Sequence, residues 1–319
     1  MEEMTGRFIS THSVVLVLPM HISHSPVRGA SIHADASSSR PGGGFTTLSA
    51  VAALGIPAAL ASPLGTGPNS FTVRRQLVEA GVEVLIPELV GDIGVAMQLI
   101  EPDGSMTSIV TSGVESEPSR TALDSLVLTP GDLIHIAASD LTNPHSAKVL
   151  AGWAAALPSS VTLVVAVSPA VEQVPVELWR QLLHRADVVT MNVRESNTLA
   201  SILDSFEPGT GVRHLMRPEA ALVRRTGASG CELQRTQTDE PVMIPAYKTH
   251  VVDTAGVGDT HIATMCATLI TGKDVAEACR IANAAAAIAL SHESALPVPS
   301  REQIDIVMET GTVESLAAL

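Results

Sequence analysis

The sequence predicts an α/β protein, in which helices cover both faces of a mostly parallel central sheet. Short strand-like runs alternate with longer helix-like runs along the 319 residues, and this alternation is typical of parallel sheets. Hydrophobic residues make up 45% of the chain, mostly Ala, Val, Leu and Ile, and only 2% of residues are aromatic. Small side chains of this kind favour close packing of helices on strands. Glycine-rich motifs follow several predicted strands, at the sheet edge where such proteins bind ligands.

Each element is predicted from the length and periodicity of its apolar run. The strands are predicted at 13–18, 58–62, 82–86, 133–137, 162–167, 187–191 and 220–224. The helices are predicted at 46–54, 71–80, 146–156, 177–185, 195–203, 260–271 and 275–291. Two stretches break this rhythm: residues 21–40 are polar, and residues 95–112 alternate apolar and polar around a Pro-Asp-Gly turn at 102–104. The second stretch predicts a β-hairpin.

The overall charge and the cysteines exclude several classes of protein. A net charge of −14 and the few aromatic residues argue against nucleic-acid binding, which needs a basic surface or stacking platforms. No apolar run is long enough to span a membrane, and the run at 14–20 lacks the flanks of a signal peptide. Cys231, Cys266 and Cys279 are scattered without a C-x-x-C pair, as expected of reduced, buried cysteines in a cytoplasmic protein. We therefore expect neither a nucleic-acid nor a membrane partner.

The most informative stretch, residues 253–259, reads DTAGVGD, after a β-like run at 250–252 and before a predicted helix. Glycines at a strand-to-helix turn leave backbone N–H groups bare at the positive end of the helix dipole, which attracts an anion such as phosphate. A carboxylate beside that cradle, Asp259, is suited to accept a proton from an attacking hydroxyl. The alternative is an N-cap or first-turn carboxylate, which the helix dipole favours in any case.

The DTAGVGD stretch closely matches the DTxGAGD signature of the ribokinase-like (phosphofructokinase B) carbohydrate and nucleoside kinases, and only Val257 departs from it. Four further motifs resemble those of the family and follow in its order: PGGGF at 41–45, GTGP at 65–68, NVRE at 192–195 and TGASG at 226–230. The resemblance covers about residues 8–300. It implies one ribokinase-like kinase domain over residues 1–319, with a small β lid made of segments 21–40 and 95–112 that closes over the substrate.

This resemblance implies an ATP-dependent phosphotransferase that acts on a hydroxyl of a sugar or a sugar-like small molecule. Asp259 would be the catalytic base. The N–H groups of Ala255, Gly256, Val257 and Gly258 would hold the charge of the transferring phosphoryl group as an oxyanion hole.

The resemblance also implies how the cofactors bind. Asn192 and Glu195 would organise Mg²⁺ through water, because Mg²⁺ keeps much of its hydration shell, and K⁺ would bind near Asp253 and Thr254. The implied nucleotide contacts are Arg225, Thr226, Gly227, Gly230 and Asn283. Each set has a structural alternative: a capping pair for Asn192 and Glu195, a β-turn for the TGASG loop, a solvent-facing arginine at 225, and a polar residue on a packed helix at 283.

The acceptor half departs from the family pattern. The resemblance implies substrate contacts from Gly43 and Gly44, from Thr46 where Asn is usual, from Val17 where a sugar-binding Asp is usual, and from His12 where Gly is common. The Gly-x-Asp of the next loop is replaced by Pro-Asn-Ser at 68–70. Four histidines at 12, 21, 24 and 33 either supply new contacts or, for the most part, are solvated residues of the lid. Ribose or fructose bound in the usual manner is therefore not expected.

Three functions from different classes remain. The first is an active small-molecule kinase. Members of the family commonly dimerise through their lids, so the resemblance implies a possible homodimer. The second is a catalytically weak or inactive kinase-like protein that binds a nucleotide or metabolite. The third is a dinucleotide-dependent oxidoreductase, which is disfavoured because His261 stands at the third glycine position of G-x-G-x-x-G and the motif lies late in the chain.

Overall fold

The fold is described from a computed structural model covering residues 6–36, 38–293 and 298–318. Its strands are β1 (Phe8–Ser10), β2 (Val14–Ile22), β3 (Ala34–Ala36), β4 (Arg40–Gly43), β5 (Ala58–Leu60), β6 (Val82–Val84), β7 (Val95–Ile100), β8 (Met106–Val110), β9 (Leu133–Ala137), β10 (Thr162–Ala166), β11 (Val188–Asn192), β12 (Ala221–Arg225), β13 (Cys231–Gln234) and β14 (Val242–Ile244). Its α-helices are α1 (Gly44–Ala53), α2 (Pro68–Glu79), α3 (Arg120–Asp124), α4 (Pro144–Ala156), α5 (Val176–Arg185), α6 (Val193–Phe206), α7 (Val212–Leu215), α8 (Val257–Ile270), α9 (Val275–Leu290) and α10 (Arg301–Thr310).

The central sheet contains nine of the strands in the described ranges, in the order β14-β13-β12-β11-β10-β9-β1-β5-β6. Strands β1, β5, β6 and β9 to β12 run parallel, and β13 and β14 are antiparallel at one edge. The predicted α/β fold with a mostly parallel sheet is therefore confirmed. The carboxyl ends of β1, β9, β11 and β12 meet at one edge of this sheet, and the candidate site lies there.

Helices cover both faces of the central sheet. Successive strand residues point to opposite faces, so both faces carry apolar side chains that the helices bury. Val164 of β10 belongs to the core beneath α1, α2, α8, α9 and α10. Its neighbour Val165 belongs to the core beneath α3 to α7. The helices on the first face carry mainly small side chains; the buried residues of α9 include Ala282, Ala284 and Ala285. These residues let α8 and α9 lie close together.

A second, smaller sheet, which we call the small sheet, has the order β3-β2-β7-β8, with β4 paired to β2. β7 and β8 form an antiparallel hairpin, in which the N–H of Gly104 donates to the carbonyl of Glu101 (2.9 Å). The hairpin expected at 95–112 is thus observed. The other stretch, 21–40, supplies β3 and the start of β4, and its residue 37 lies outside the described part of the chain.

The strand predicted at 13–18 is observed as β2, but it pairs with β4 and β7 in the small sheet, and the first strand of the central sheet is β1. The apolar content of β2 gave no signal of which sheet it joins. The run 250–252 is not a strand, and the exposed side chains of Val251 and Val252 show that it lies on the surface.

The predicted helices lie within three residues of the observed bounds. The prediction missed α3, α7 and α10, and the edge strands β13 and β14, which are short or polar. The three cysteines are free and buried, as expected. None of the helices in the described ranges is long and apolar enough to cross a membrane.

Candidate active site

The loop at 253–259 forms the start of α8, as the glycine pattern predicts. Gly256 is the N-cap and has a left-handed backbone with φ of 75°, a conformation that glycine adopts without steric strain. The N–H groups of Gly256 and Gly258 make no hydrogen bond to any group of the described chain. They lie at the positive end of the α8 dipole, where an anion is stabilised.

Two of the four predicted donors of this loop are engaged within the protein. The N–H of Ala255 donates to Oδ1 of Asp253 (2.9 Å), and the N–H of Val257 makes a long hydrogen bond to the carbonyl of Thr254 (3.4 Å). In the observed conformation, the donors open to an anion are therefore the N–H groups of Gly256 and Gly258. The carboxylate of Asp253 and the carbonyl of Thr254, the residues expected near K⁺, hold the shape of the turn.

Asp259 lies in the first turn of α8, and its side chain does not cap the helix. It is partly buried, and its carboxylate accepts no hydrogen bond from the described residues. Burial raises the pKa of Asp259, while the charges of His12 and Arg225 act in the opposite direction. A shielded carboxylate without a hydrogen-bond donor is a better proton acceptor than a solvated one.

Arg225 ends β12 and lies on one side of Asp259. Its guanidinium donates to the carbonyl of Gly258 (3.3 Å) and to Oε2 of Glu195 (3.4 Å). The side chains of Arg225 and Glu195 are only 15% and 5% exposed, so the pair is largely shielded from water. The alternative of a solvent-facing arginine therefore does not describe Arg225, whose guanidinium is a shielded cation that contacts the first turn of α8.

Asn192 and Glu195 form a capping box at the start of α6. The side chain of Asn192 accepts from the N–H of Glu195 (2.8 Å), and the carboxylate of Glu195 accepts from the N–H of Asn192 (2.8 Å). The capping alternative thus describes both residues. Burial raises the pKa of Glu195, opposed by the N–H of Asn192 and the charge of Arg225. A role for the pair in holding Mg²⁺ stays a prediction.

The TGASG loop at 226–230 is the turn between β12 and β13. The N–H and hydroxyl of Thr226 both donate to the carbonyl of Gly230 (2.8 and 3.0 Å). Gly230 has φ of 100°, and an added Cβ would lie 2.2 Å from the carbonyl oxygen of Ile244. The turn therefore requires glycine at position 230. Gly227 and Gly230 also line the cavity beside the turn.

That cavity, of about 700 Å³, runs from the turn of residues 227–230 to the start of α8. Asn192, Arg225, Gly258 and Asn283 are among its lining residues. It therefore brings together most of the residues predicted to contact the nucleotide. Its volume is in the range of pockets that hold a ligand of nucleotide size.

Asn283 on α9 is buried, and its polar atoms are used within the protein. Its amide donates to the carbonyls of Ile244 and Pro245 (3.0 and 3.1 Å), and its oxygen pairs with Nε2 of His261 (3.2 Å). These bonds fasten α8 and α9 to β14. The alternative of a polar residue on a packed helix accounts for Asn283, and its contact with adenine stays a prediction.

His12 lies on the other side of Asp259, between β1 and β2. Its Nδ1 contacts both carboxylate oxygens of Asp140 (3.1 and 3.2 Å). Burial disfavours the charged ring, but the attraction and hydrogen bond of Asp140, together with the charge of Asp259, outweigh it and raise the pKa of His12. The structure thus brings His12 and Asp259 together, although they are 247 positions apart (259 − 12) in the chain.

The glycines at 43 and 44 are needed for close approach of α1 to the β1–β2 connection. An added Cβ at Gly43 would lie 2.3 Å from the carbonyl oxygen of Ser13, and one at Gly44 would lie 2.3 Å from that of His12. Thr46 is partly exposed in the first turn of α1. Val17 is buried in the small sheet against Gly42, so it is a packing residue, and its contact with substrate stays a prediction.

The sequence reasoning missed Asp140 and Asp92. Asp140 follows β9, next to β1 in the sheet, so a search for polar residues at the carboxyl ends of neighbouring strands would have found it. Asp92 accepts from the N–H groups of Asn69 and Ser70 (3.0 and 2.7 Å). These bonds and that of the Ser70 hydroxyl outweigh burial and lower the pKa of Asp92. The carboxylate of Asp92, which comes from a distant loop, therefore lies at the start of α2.

Comparisons with known proteins show the family to which the chain is similar. The sequence model of the pfkB family carbohydrate kinases matches residues 20–301. The chain is 30% identical over 282 residues to the uncharacterised sugar kinase YegV of Escherichia coli K12, a match that covers 88% of this chain and 87% of that protein. It is 28% identical over 272 residues to an ATP-dependent ribose-1-phosphate kinase of Halopiger xanaduensis, covering 84% and 86%.

Solved structures show the same fold. The ribokinase of Thermotoga maritima superimposes with a TM-score of 0.80 at 18% identity, covering 95% of this chain and 99% of that one. The ribokinase of Arabidopsis thaliana, complexed with ribose and ATP, superimposes with a TM-score of 0.74 at 19% identity, covering 95% and 99%.

The central sheet, the small sheet and the glycine loop at the start of α8 define the class of the protein, a ribokinase-fold protein. The family follows from the sequence match: the chain belongs to the pfkB family of carbohydrate kinases. The comparisons give no support to the alternatives of an inactive binding protein or a dinucleotide-dependent oxidoreductase.

Proposed function

We propose that this carbohydrate kinase transfers the γ-phosphate of ATP to a hydroxyl of a sugar or sugar-like small molecule, with Asp259 as the general base. One observation carries the proposal. Asp259 is a shielded carboxylate without a hydrogen-bond donor in the described chain, and it lies beside two open backbone N–H groups.

The reaction balances with these groups. The acceptor hydroxyl gives its proton to Asp259 as its oxygen bonds to the γ-phosphorus, and the bond from that phosphorus to the bridging oxygen breaks, which releases ADP. The N–H groups of Gly256 and Gly258 stabilise the charge on the transferring phosphoryl oxygens, with the α8 dipole behind them. The raised pKa of Asp259 suits it to hold the proton during transfer.

The cavity lined by Arg225, Gly227, Gly230 and Asn283 is the proposed nucleotide site. Arg225 would provide the positive charge that phosphate oxygens need, since its guanidinium already contacts the carbonyl of Gly258 (3.3 Å). Thr226 would act by holding the turn at Gly230.

Asn192 and Glu195 fit a hydrated Mg²⁺. Both oxygens that could serve, the amide oxygen of Asn192 and the carboxylate of Glu195, are hard ligands, and both already cap α6, so contact through water preserves the capping box. The described residues include no group of three or more His, Cys, Asp or Glu side chains placed to hold a metal ion. When bound, Mg²⁺ supplies charge neutralisation at the nucleotide phosphates.

Two further parts of the proposal concern activation and assembly. K⁺ would bind at the turn of Asp253 and Thr254, whose oxygens shape the anion loop. The small sheet would close over the acceptor as a lid, and its edge strand β8, whose residues are all exposed, would pair two copies of the chain.

The acceptor is proposed from the relatives. One relative is a ribose-1-phosphate kinase, and one structural neighbour is complexed with ribose, so pentoses and their phosphates head the candidates.

The test is a coupled ADP-release assay with MgATP over sugars, sugar phosphates, sugar acids and nucleosides. We expect turnover on at least one acceptor, and a loss of about 100-fold or more in Asp259→Asn. Asp305→Asn is the matched control, because Asp305 is an exposed carboxylate on α10. Turnover that survives Asp259→Asn unchanged contradicts the proposal, as does ATP binding without turnover on the whole panel. Replacing KCl by NaCl tests the K⁺ site in the same assay.

A further inference from the structure

The acceptor half of the site contains an ion pair, His12 and Asp140, that the proposed chemistry does not use. The carboxylate of Asp140 lies 3.1 Å from Nδ1 of His12, and it also accepts hydrogen bonds from the N–H of Ser13 (3.2 Å) and from the Ser13 hydroxyl. The side chains of His12 and Asp140 are 16% and 5% exposed. Because Asp140 is held by three donors, it fixes the imidazole ring of His12 in one orientation.

The groups that face His12 determine its charge. They are Asp140 from the segment after β9, Asp259 from α8, and His135 from β9, whose ring lies edge-on at 6.4 Å between centroids. Burial lowers the pKa of His135 to about 3, with the His12 charge adding to the effect, so His135 is neutral. The two carboxylates raise the pKa of His12, which favours the cationic ring.

The free edge of the ring is its Nε2. With Nδ1 directed at Asp140, the Nε2–H of the cation makes no hydrogen bond to any group of the described chain. Gly44 packs against the backbone of His12, since an added Cβ there would lie 2.3 Å from the carbonyl oxygen of His12. An imidazolium can donate but cannot accept a hydrogen bond, so a ligand at Nε2 must present an oxygen lone pair.

We propose that His12, oriented by Asp140, is the specificity-determining residue of the acceptor half, and that its Nε2–H binds an anionic oxygen of the acceptor beside Asp259. This inference rests on the proposed function, since it assumes that the acceptor hydroxyl lies beside Asp259. The acceptor class is a hydroxylated compound with an oxyanion, either a carboxylate or a phosphate. A charge-assisted hydrogen bond to such an oxygen is roughly twice as strong as one to a neutral hydroxyl.

Binding is measured calorimetrically on the full chain in the presence of Mg²⁺ and a non-hydrolysable ATP analogue. The probes are D-ribose, ribose 1-phosphate and D-gluconate, which separate a neutral acceptor from the phosphate and carboxylate forms. We expect at least one anionic probe to bind more tightly than ribose. We also expect His12→Gln, which keeps a neutral N–H donor, to weaken that probe about tenfold while changing ribose by less than about twofold. His184→Gln, an exposed histidine on α5, is the control and should change neither.

A second readout does not depend on any acceptor. In an NMR titration of the histidine Cε1 signals, assigned with His12→Gln, the pKa of His12 should lie above the ordinary histidine value of about 6.5, and Asp140→Asn should lower it. The inference is overturned if neither anionic probe is preferred, if His12→Gln weakens ribose and the anions equally, or if His12 titrates below that ordinary value. If Asp259→Asn keeps full turnover, the proposed function fails instead; if it loses turnover while His12→Gln leaves the anion preference unchanged, only this inference fails.

Discussion

The ion pair of Arg225 and Glu195 gives the sharpest test of how burial, rather than distance, determines the strength of an interaction in this protein. The N···O distance of the pair is 3.4 Å, and its side chains are 15% and 5% exposed. The neighbouring pair of Arg224 and Glu232 is closer, at 2.8 Å, but its side chains are 32% and 28% exposed. The two arginines are consecutive on β12, so each provides a matched control for the other.

The magnitude follows from the distance and the shielding. Two unit charges 3.4 Å apart attract by about 5 kcal/mol at an effective dielectric constant of about 20. Arg225→Met removes this attraction and leaves Glu195 buried and unpaired, which costs about 3–5 kcal/mol of unfolding free energy. Arg224→Met breaks a pair open to water, which costs about 0–1 kcal/mol. Distance alone would predict the opposite order.

The pKa shifts of the buried pair predict what a double variant does. Burial lowers the pKa of Arg225 and raises that of Glu195 despite their mutual attraction. Burial therefore outweighs the pairing, and the pair is a poor source of net stability. Adding Glu195→Gln to Arg225→Met should restore most of the lost stability, because Gln still accepts the N–H of Asn192 and carries no charge.

The assay is urea denaturation followed by circular dichroism, on the wild type, the three single variants and the double variant. The reasoning is refuted if Arg225→Met and Arg224→Met lose the same stability, or if the double variant loses the sum of its two single losses. A coupling energy of about 2 kcal/mol or more is expected for residues in direct contact. Nucleotide binding to the double variant should be weaker than to the wild type, since Arg225 is the proposed cation at the nucleotide phosphates.

Three further predictions follow from the same structure. Asp259→Asn should raise the melting temperature by about 2 °C while removing turnover. Because the pKa of Asp259 is raised in the folded state, the stability of the wild type falls as the pH rises from the unfolded pKa through the folded one. Melting curves of the variant over the same pH range should lack this fall. Gly230→Ala should destabilise more than Gly227→Ala, since both have positive φ but only the Cβ at Gly230 meets the carbonyl of Ile244, at 2.2 Å; equal urea midpoints would contradict this. Ile109→Lys on the exposed edge strand β8 should turn a dimer into a monomer in light scattering after gel filtration, and a monomeric wild type would contradict the proposed lid dimer.

The fold was predictable because its signals are local. The helix-length runs and the strand at 133–137 coincide with observed elements to within a few residues, since burial on both faces of a parallel sheet leaves a near-continuous apolar run in each strand. The sheet that β2 joins was not predictable for the same reason. An apolar run reports that a strand is buried, but the partner strands β4 and β7 that place it in the small sheet are distant and give no signal within the run.

The glycine turns beside the proposed nucleotide site were predictable because they are built from backbone. A left-handed N-cap at Gly256 and a close approach at Gly230 require glycine, so the sequence shows where the amides lie. The N–H of Ala255 is engaged in the structure, because the carboxylate of Asp253 closes the turn two residues earlier, and the oxyanion-hole role of residues 255–258 stays a prediction. Such Asx turns are a local alternative to binding a ligand.

The acceptor half was not predictable because side chains build it from separate segments. His12 follows β1, Asp140 follows β9, and Asp259 begins α8, so no spacing in the sequence relates them. His12 marked a departure from the family pattern, but its partner Asp140 carries no motif. Only the order of β1 and β9 in the sheet brings the imidazole and the carboxylate within 3.1 Å.

The charges around Asp259 support its proposed role as the general base. Asp140 is paired with His12, and Glu195 is paired with Arg225, so each outer carboxylate is matched by a cation. Asp259 is near both cations, whose charges oppose the effect of burial on its pKa, and it accepts no hydrogen bond from the described chain. In the proposed reaction, a proton from an acceptor hydroxyl would therefore go to Asp259 rather than to Asp140 or Glu195, which already accept hydrogen bonds. Removing either cation should raise the pKa of Asp259 further and move the acid limb of the pH–rate profile to higher pH.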